Sequence, residues 1–261
     1  MAERKLLRHV LKEYVDENGY LVTQLPGGFV DEEGAVIREV VIDEMDGKAE
    51  EILADPKYRA RQQQGITAFI AYLLKRIGSA EATNDAVKHM LSGDRDFLML
   101  KIRIHTLGNV WSTEIKCTSC GDMLPVVVDL DKLKIDAISD NDTRVVTGKL
   151  SRGYKDQKGA VHKDYEMRFP TGVDQEQVAN VRNLSTMKTL LLNKCLKHLG
   201  SMKMVSDYDL RRMKYRERLE LEDNLYNNLP GVSWAVDVVC SCGNEWEATL
   251  DLGSLFRSDQ A

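Results

Sequence analysis

The stretch "KCTSCGDMLPVVVDLDKL", residues 116–133, carries two of the chain's five cysteines, two residues apart and followed at once by glycine. A Cys-x-x-Cys-Gly turn aims two thiolates the same way while glycine takes the positive φ of the tight bend. A closed structural zinc site needs four ligands, so two thiolates are half a site. The other half stands at residues 239–256, "VCSCGNEWEATLDLGSLF", with one residue fewer between its cysteines. In both stretches the Gly is followed at the same distance by an Asp (Asp129, Asp251), then by Leu130 and Leu133 or Leu252 and Leu255. Upstream, Gly108, Trp111 and Cys117 are spaced as Gly231, Trp234 and Cys240 are.

The likeness extends beyond the cysteines. "LPGGFVDEEGAVIREVVIDEMDG", from Leu25, lies without gaps on "LSRGYKDQKGAVHKDYEMRFPTG", from Leu150, and "LLKRIGS", from Leu73, lies on "CLKHLGS", from Cys195. The order is the same in both parts, which points to a tandem duplication. The predicted organisation is an N-terminal amphipathic helix over 1–19 (Leu6, Leu7, Val10, Leu11 and Tyr14 at helical spacing), a first repeat over 20–134 and a second over 135–261. Each repeat reads as a Gly-turn strand pair (20–43, 145–169), a helix after Gly47 or Gly172, and a longer helix. That longer helix runs through Ile66, Phe69, Ile70, Leu73, Leu74 and Ile77, or through Leu190, Leu191, Cys195, Leu196 and Leu199. Further helices near 82–91 and 94–104, or within 206–227, precede the strand, cysteine knuckle and strand. The fold class expected is α+β: internally duplicated, mostly helical halves joined by a β element resembling a zinc ribbon.

Cys117, Cys120, Cys240 and Cys242 are the expected metal ligands, holding one structural zinc. A redox dithiol, plain buried thiols and knuckles that no longer bind metal are the alternatives; a redox pair would not account for the second copy. The five histidines, at 9, 89, 105, 162 and 198, form no HxxxH or HxE pattern, and four thiolates leave no open position for catalysis. Cys195 reads as a core thiol, Trp111 and Trp234 as strand residues packed beside the knuckles, and Asp129 and Asp251 as caps of turns or helices. "DRDF" (94–97) and "YRERLELED" (215–223) read as solvated charged helix faces. Pro26-Gly27-Gly28 lacks the pattern of a phosphate-binding loop. No catalytic or cofactor-binding residue is assigned.

With 261 residues, 43% hydrophobic and 30% charged, the chain has a normal balance for a water-soluble protein with a real core. The N-terminus has no apolar run of the kind a signal peptide needs, and no stretch is long and apolar enough to span a membrane. A reducing cytoplasm is therefore expected, where paired cysteines more often bind metal. Against 36 basic residues stand 41 acidic ones, a formal net charge of -5, which weighs against a nucleic-acid partner.

The segment "DRDFLMLKIRIHTLGNVWSTEIKCTSCGDMLPVVVDL", residues 94–130, resembles the baseplate hub and assembly proteins of contractile-tailed bacteriophages and of related contractile injection systems. "LPGGFVDEEGAVIREVVIDEMDG" fits the same family. The resemblance implies a non-enzymatic structural or chaperone role in a tail baseplate. It also implies other baseplate or tail subunits as partners, no small-molecule substrate, and residence in the host or bacterial cytoplasm during assembly or in the finished particle. A zinc-ribbon protein that binds nucleic acid is the alternative.

Overall fold

A computed structural model describes residues 12–139 and 143–256. Of the helix expected over 1–19, residues 1–11 lie outside the described part, and the remainder is not helical. Instead, β1 (Tyr14–Val15) pairs antiparallel with β2 (Leu21–Val30). The intervening Asp16-Glu-Asn-Gly19 forms a turn in which the Asp16 carboxylate accepts from the N–H groups of Asn18 and Tyr20. Over residues 12–19, turn chemistry and strand pairing stand in place of the expected helix; Leu6, Leu7, Val10 and Leu11 lie outside the described residues.

Strand β2 pairs with β3 (Val36–Ile42), and the register breaks between Gln24 and Phe29. Pro26 has no N–H for the ladder, and the carbonyls of Leu25 and Pro26 turn to Arg38 Nη1, each at 2.9 Å. Helix α1 (Gly47–Ala54) starts where the Asp46 side chain accepts from Ala49 N. A 3-10 turn at Pro56–Tyr58 leads into α2 (Gln62–Leu73). The periodic apolar run does not stay helical: Leu74 is extended, and β4 (Leu74–Ile77) joins the sheet against β3, followed by β5 (Ala80–Glu81). Pairing of Leu74 with Ile42 and Ile77 with Val40 satisfies the backbone while both side chains stay buried, so tertiary pairing decides over spacing. The result is a five-stranded antiparallel sheet in the order β1-β2-β3-β4-β5.

Two helices follow, α3 (Asn84–His89), capped by Thr83, and α4 (Ser92–Leu107), close to the expected spans. Helix α4 ends at Gly108, whose φ of 83° turns the chain into β6 (Val110–Lys116). Strand β7 (Met123–Asp129) completes the first cysteine hairpin, and β8 (Ile135–Asp136) closes this part.

The second part runs in a similar order. Strands β9 (Val145–Lys155) and β10 (Val161–Arg168) form the Gly-turn pair, and α5 (Gly172–Val178) and α6 (Leu184–Cys195) follow. Strand β11 (Leu196–Leu199) adds to β10, so that, as with β4, the end of the expected long helix is strand. Then come α7 (Asp207–Arg212), α8 (Tyr215–Asn227), β12 (Gly231–Val232) and the second cysteine hairpin of β13 (Ala235–Val239) and β14 (Glu245–Thr249). The class is mixed α and β, as expected, but not mostly helical: helix makes up 37% and strand 33%.

The hydrophobic cores do not divide where the repeats do. One core gathers residues from Leu21 to Leu133 together with Leu250 and Leu255, and Trp234, Val236 and Phe256 pack against it. The other lies between Ile138 and Leu225. The last 25 or so described residues, second by sequence, therefore belong to the first core; Phe256 meets the Phe69 ring edge-on at 5.0 Å. The link is tightened where β12 pairs with β8 and where Gly231 lies against Gly93 at the start of α4. Among the described residues, no helix is long and apolar enough to cross a membrane.

Candidate metal centre

The two hairpins are built alike. In the first, β6 and β7 pair residue for residue from Val110–Asp129 to Lys116–Met123, so the turn must fall on 117–122. Cys117 N donates to Asp122 O at 2.8 Å and Gly121 N to Cys117 O at 3.1 Å. In the second, Cys240 N donates to Asn244 O and Gly243 N to Cys240 O, both at 2.9 Å. Gly121 and Gly243 take the same left-handed conformation, φ 83° and 85°, and the single missing residue is absorbed between the cysteines. The Cys-x-Cys spacing is thus accommodated without losing the turn.

Folding brings the four expected cysteines together. Cys117 Sγ lies 3.8 Å from Cys242 Sγ, Cys120 Sγ lies 3.6 Å from Cys240 Sγ, and all four sulfurs fall within 4.8 Å of one another. Each close pair takes one sulfur from each hairpin, so the cluster joins the two hairpins. These separations are far beyond a disulfide, about 2 Å. They match the edge of a tetrahedron around a cation with metal–sulfur bonds of about 2.3 Å, which is about 3.8 Å. Among the described residues this is the one group of three or more His, Cys, Asp or Glu side chains close enough to share an ion. Cys117 and Cys240 are buried; Cys120 and Cys242 are exposed.

The surroundings favour a thiolate. The Cys117 thiol is drawn down to about 6, first by the backbone N–H of Cys120, with that of Ser119 assisting. Asn244 Nδ2, from the opposite hairpin, also points at Cys117 Sγ, 3.7 Å away, and donates to Thr118 Oγ1 at 3.1 Å. A second anion beside the first is opposed. At Cys120 the backbone N–H of Asp122 is outweighed by burial and by Cys117 and Cys240, and the thiol rises to about 12. Cys242 also rises, Asn244 N–H being outweighed by Cys240. A divalent cation at the centre reverses that repulsion and makes four thiolates compatible.

Supporting residues fall where their spacing indicated. Asp129 caps a 3-10 turn at Leu130–Lys132 by accepting from Asp131 N, and Asp251 caps one at Leu252–Ser254 by accepting from Gly253 N. Trp111, in β6, is buried in the first core; Trp234 packs against the same core but lies between β12 and β13 rather than in a strand. Cys195 is fully buried in the second core, and burial pushes its thiol up to about 12. Arg103 ties both hairpin ends together: its Nε donates to Leu255 O at 2.8 Å, its Nη1 to Gly108 O at 2.8 Å and its Nη2 to Val110 O at 3.2 Å.

The charged segments depart from expectation. Within Asp94-Arg-Asp-Phe97, Asp94 and Arg95 are buried: Asp94 faces the Pro26-Gly27-Gly28 bulge, where Gly27 N donates to Asp94 Oδ1 at 2.6 Å, and Arg95 packs on α2, donating to Gln63 O and Thr67 Oγ1. In Tyr215–Asp223, Glu217 and Glu222 are also buried. The available signal was Gly27, whose missing side chain leaves room for Leu91 and the Asp94 carboxylate at the start of α4.

A family model described as T4 bacteriophage base plate protein matches residues 57–257. The chain belongs to that family. The match runs from just before α2 through both cysteine hairpins, so the cluster and both cores lie largely within it. No curated protein and no solved structure matches the chain. Membership makes this a phage baseplate protein and implies association with other tail subunits.

Proposed function

We propose that the protein is a non-enzymatic structural or assembly component of a contractile tail baseplate, and that one zinc ion held by Cys117, Cys120, Cys240 and Cys242 clamps two tandemly duplicated halves. The observation that carries the zinc is the pairing of sulfurs across hairpins at 3.6 and 3.8 Å, from residues over 100 positions apart. Zinc fits the donor set, since it takes four thiolates in a closed tetrahedron that leaves no vacancy for substrate. Duplication is supported by the recurring element order and by left-handed glycines at matched positions, among them Gly34 with Gly159 and Gly78 with Gly200. As a hub subunit or assembly chaperone, the protein would act through its outer surfaces, formed in a host or bacterial cytoplasm and carried into a virion or injection particle.

Metal analysis of the purified protein tests this reading. One zinc per chain is expected, released when the thiols are titrated with a mercurial. Two zincs per chain, or none with all four thiols freely reactive, would overturn the shared site. Association with neighbouring tail subunits that persists in the particle identifies a structural part; association lost before completion identifies a chaperone.

A further inference from the structure

Two turns that align in sequence have one shape and opposite charge. Asp31-Glu-Glu-Gly34 joins β2 to β3, and Asp156-Gln-Lys-Gly159 joins β9 to β10. In each, the Asp carboxylate accepts from the N–H of the alanine four positions on, Ala35 at 2.7 Å and Ala160 at 2.8 Å. The Asp N–H donates to the carbonyl of that alanine, and the Gly is left-handed, with φ 84° and 89°. Asp and Gly therefore fix the backbone, and the charge is set by the residues between and beside them. Glu33 falls on Lys158, Val30 on Lys155 and Gly27 on Arg152. Arg38, which falls on Lys163, is turned inward to the carbonyls of Leu25 and Pro26.

Glu32, Glu33, Lys155 and Lys158 are exposed and, among the described residues, their side chains have no ion-pair partner. The contrast extends to the surroundings. Residues 12–55 hold 13 acidic and 3 basic side chains, whereas residues 143–229 hold 17 basic and 11 acidic ones, of which Asp174, Glu217 and Glu222 are buried. The net charge of -5 thus conceals two regions of opposite sign. Exposed Val30 flanks the acidic turn and exposed Val161 the basic one, so each tip also offers some apolar surface. Nucleic acid would match the basic turn alone and be repelled by residues 12–55. A second copy of this chain matches both turns at once.

We propose that copies of this chain associate through these turns, the acidic 31–34 turn of one docking on the basic 155–158 turn of the next. Exposed ion pairs are individually weak and screened by salt, so the association is concentration-dependent and lost at high ionic strength. Sedimentation velocity of the full-length, metal-loaded protein tests this. At about 20 mM salt the sedimentation coefficient should rise with protein concentration, and at about 500 mM it should fall to that of a monomer. Glu32→Lys combined with Glu33→Lys should weaken association about tenfold by setting like charges together. It does so although the net charge moves from -5 to -1, which by itself favours self-association. Lys155→Glu combined with Lys158→Glu should weaken it likewise. A 1:1 mixture of the two variants should associate again, since one presents two basic turns and the other two acidic ones. All four positions lie outside the Asp and Gly frame of the turns, so circular dichroism and metal content should be unchanged. The proposal is overturned if the wild-type chain stays monomeric in low salt, if it associates equally at both salt concentrations, if either variant associates as the wild type does, or if the mixture stays monomeric. A monomeric wild-type chain that binds a single-stranded oligonucleotide, and loses it with Lys155→Glu and Lys158→Glu, would assign the basic turn to nucleic acid instead. Metal content and binding to other tail subunits are read separately, so the assembly reading stands or falls on its own.

Discussion

The two cysteine hairpins share a turn and a role at the cluster, yet they stand on different foundations. The first has seven-residue strands and grows directly from α4, whose side chains form the centre of the first core. The second has five-residue strands and leaves its own half: Trp234, Leu250, Leu255 and Phe256 all pack into that same first core. Similar segments of sequence are thus not separate folding units here. The second ribbon packs on the first core, and the four sulfurs sit where the two ribbons meet.

The most severe way to break this comparison is to remove a ligand from either hairpin. Cys117→Ser and Cys242→Ser should each lose the metal and lower Tm by roughly 10 °C or more, since binding energy at a structural site is folding energy. Their combination should cost little beyond either alone, because the site is already lost. Cys195→Ser should leave metal content unchanged. Additive losses, followed by thermal melting with metal analysis of each variant, would show two independent knuckles.

The dock between the halves is probed next by Gly93→Ala. In an open helix this change helps by up to about 1 kcal/mol, but a Cβ on Gly93 would overlap the carbonyl of Pro230 and crowd Gly231. A destabilisation of roughly 1–3 kcal/mol is expected from that overlap. Gly47→Ala, at the start of α1 with open space around it, should be neutral to mildly stabilising. Equal responses in chemical denaturation would mean that the Gly93–Gly231 contact does not hold the ribbon in place.

A gentler probe is pH. Burial pushes the Asp94 carboxyl up to about 7, against the opposing pull of Gly27 N–H and of the Arg144 and Arg38 guanidiniums. A folded-state value above the unfolded one means that the native state holds the extra proton. This contribution is complete below about pH 4 and is lost as pH rises toward 7, at up to about 1.4 kcal/mol per unit. Asp94→Asn should flatten the stability profile between pH 5 and 7. An unchanged slope would show that the two arginines hold Asp94 ionised throughout.

Short-range features were legible because their cause is short-range. The Cys-Gly turns, the Asp129 and Asp251 caps and the Asp31–Gly34 and Asp156–Gly159 turns depend on residues within a few positions, so each copy of the motif folds as its spacing requires. The meeting of the two cysteine turns was legible too, since neither pair alone completes a four-ligand site. The continuation of α2 and α6 was misread because apolar spacing over four residues fits a helix and a buried strand equally.

The sequence by itself determined which four cysteines come together and where the turns fall, since these follow from spacing and from the conformations that Gly, Pro and Asp allow. Only the tertiary structure decided that Leu74–Ile77 and Leu196–Leu199 are strands, that Asp94 and Arg95 are buried, and that the second ribbon packs on the first core. Each of those outcomes is made by a distant partner: Gly27 for Asp94 at 67 positions, Ile138 for Arg38 at 100, Leu255 for Arg103 at 152. Hydrogen bonds and apolar contacts act over a few ångströms whatever the sequence separation, so which remote groups satisfy one another is known only once the chain is packed.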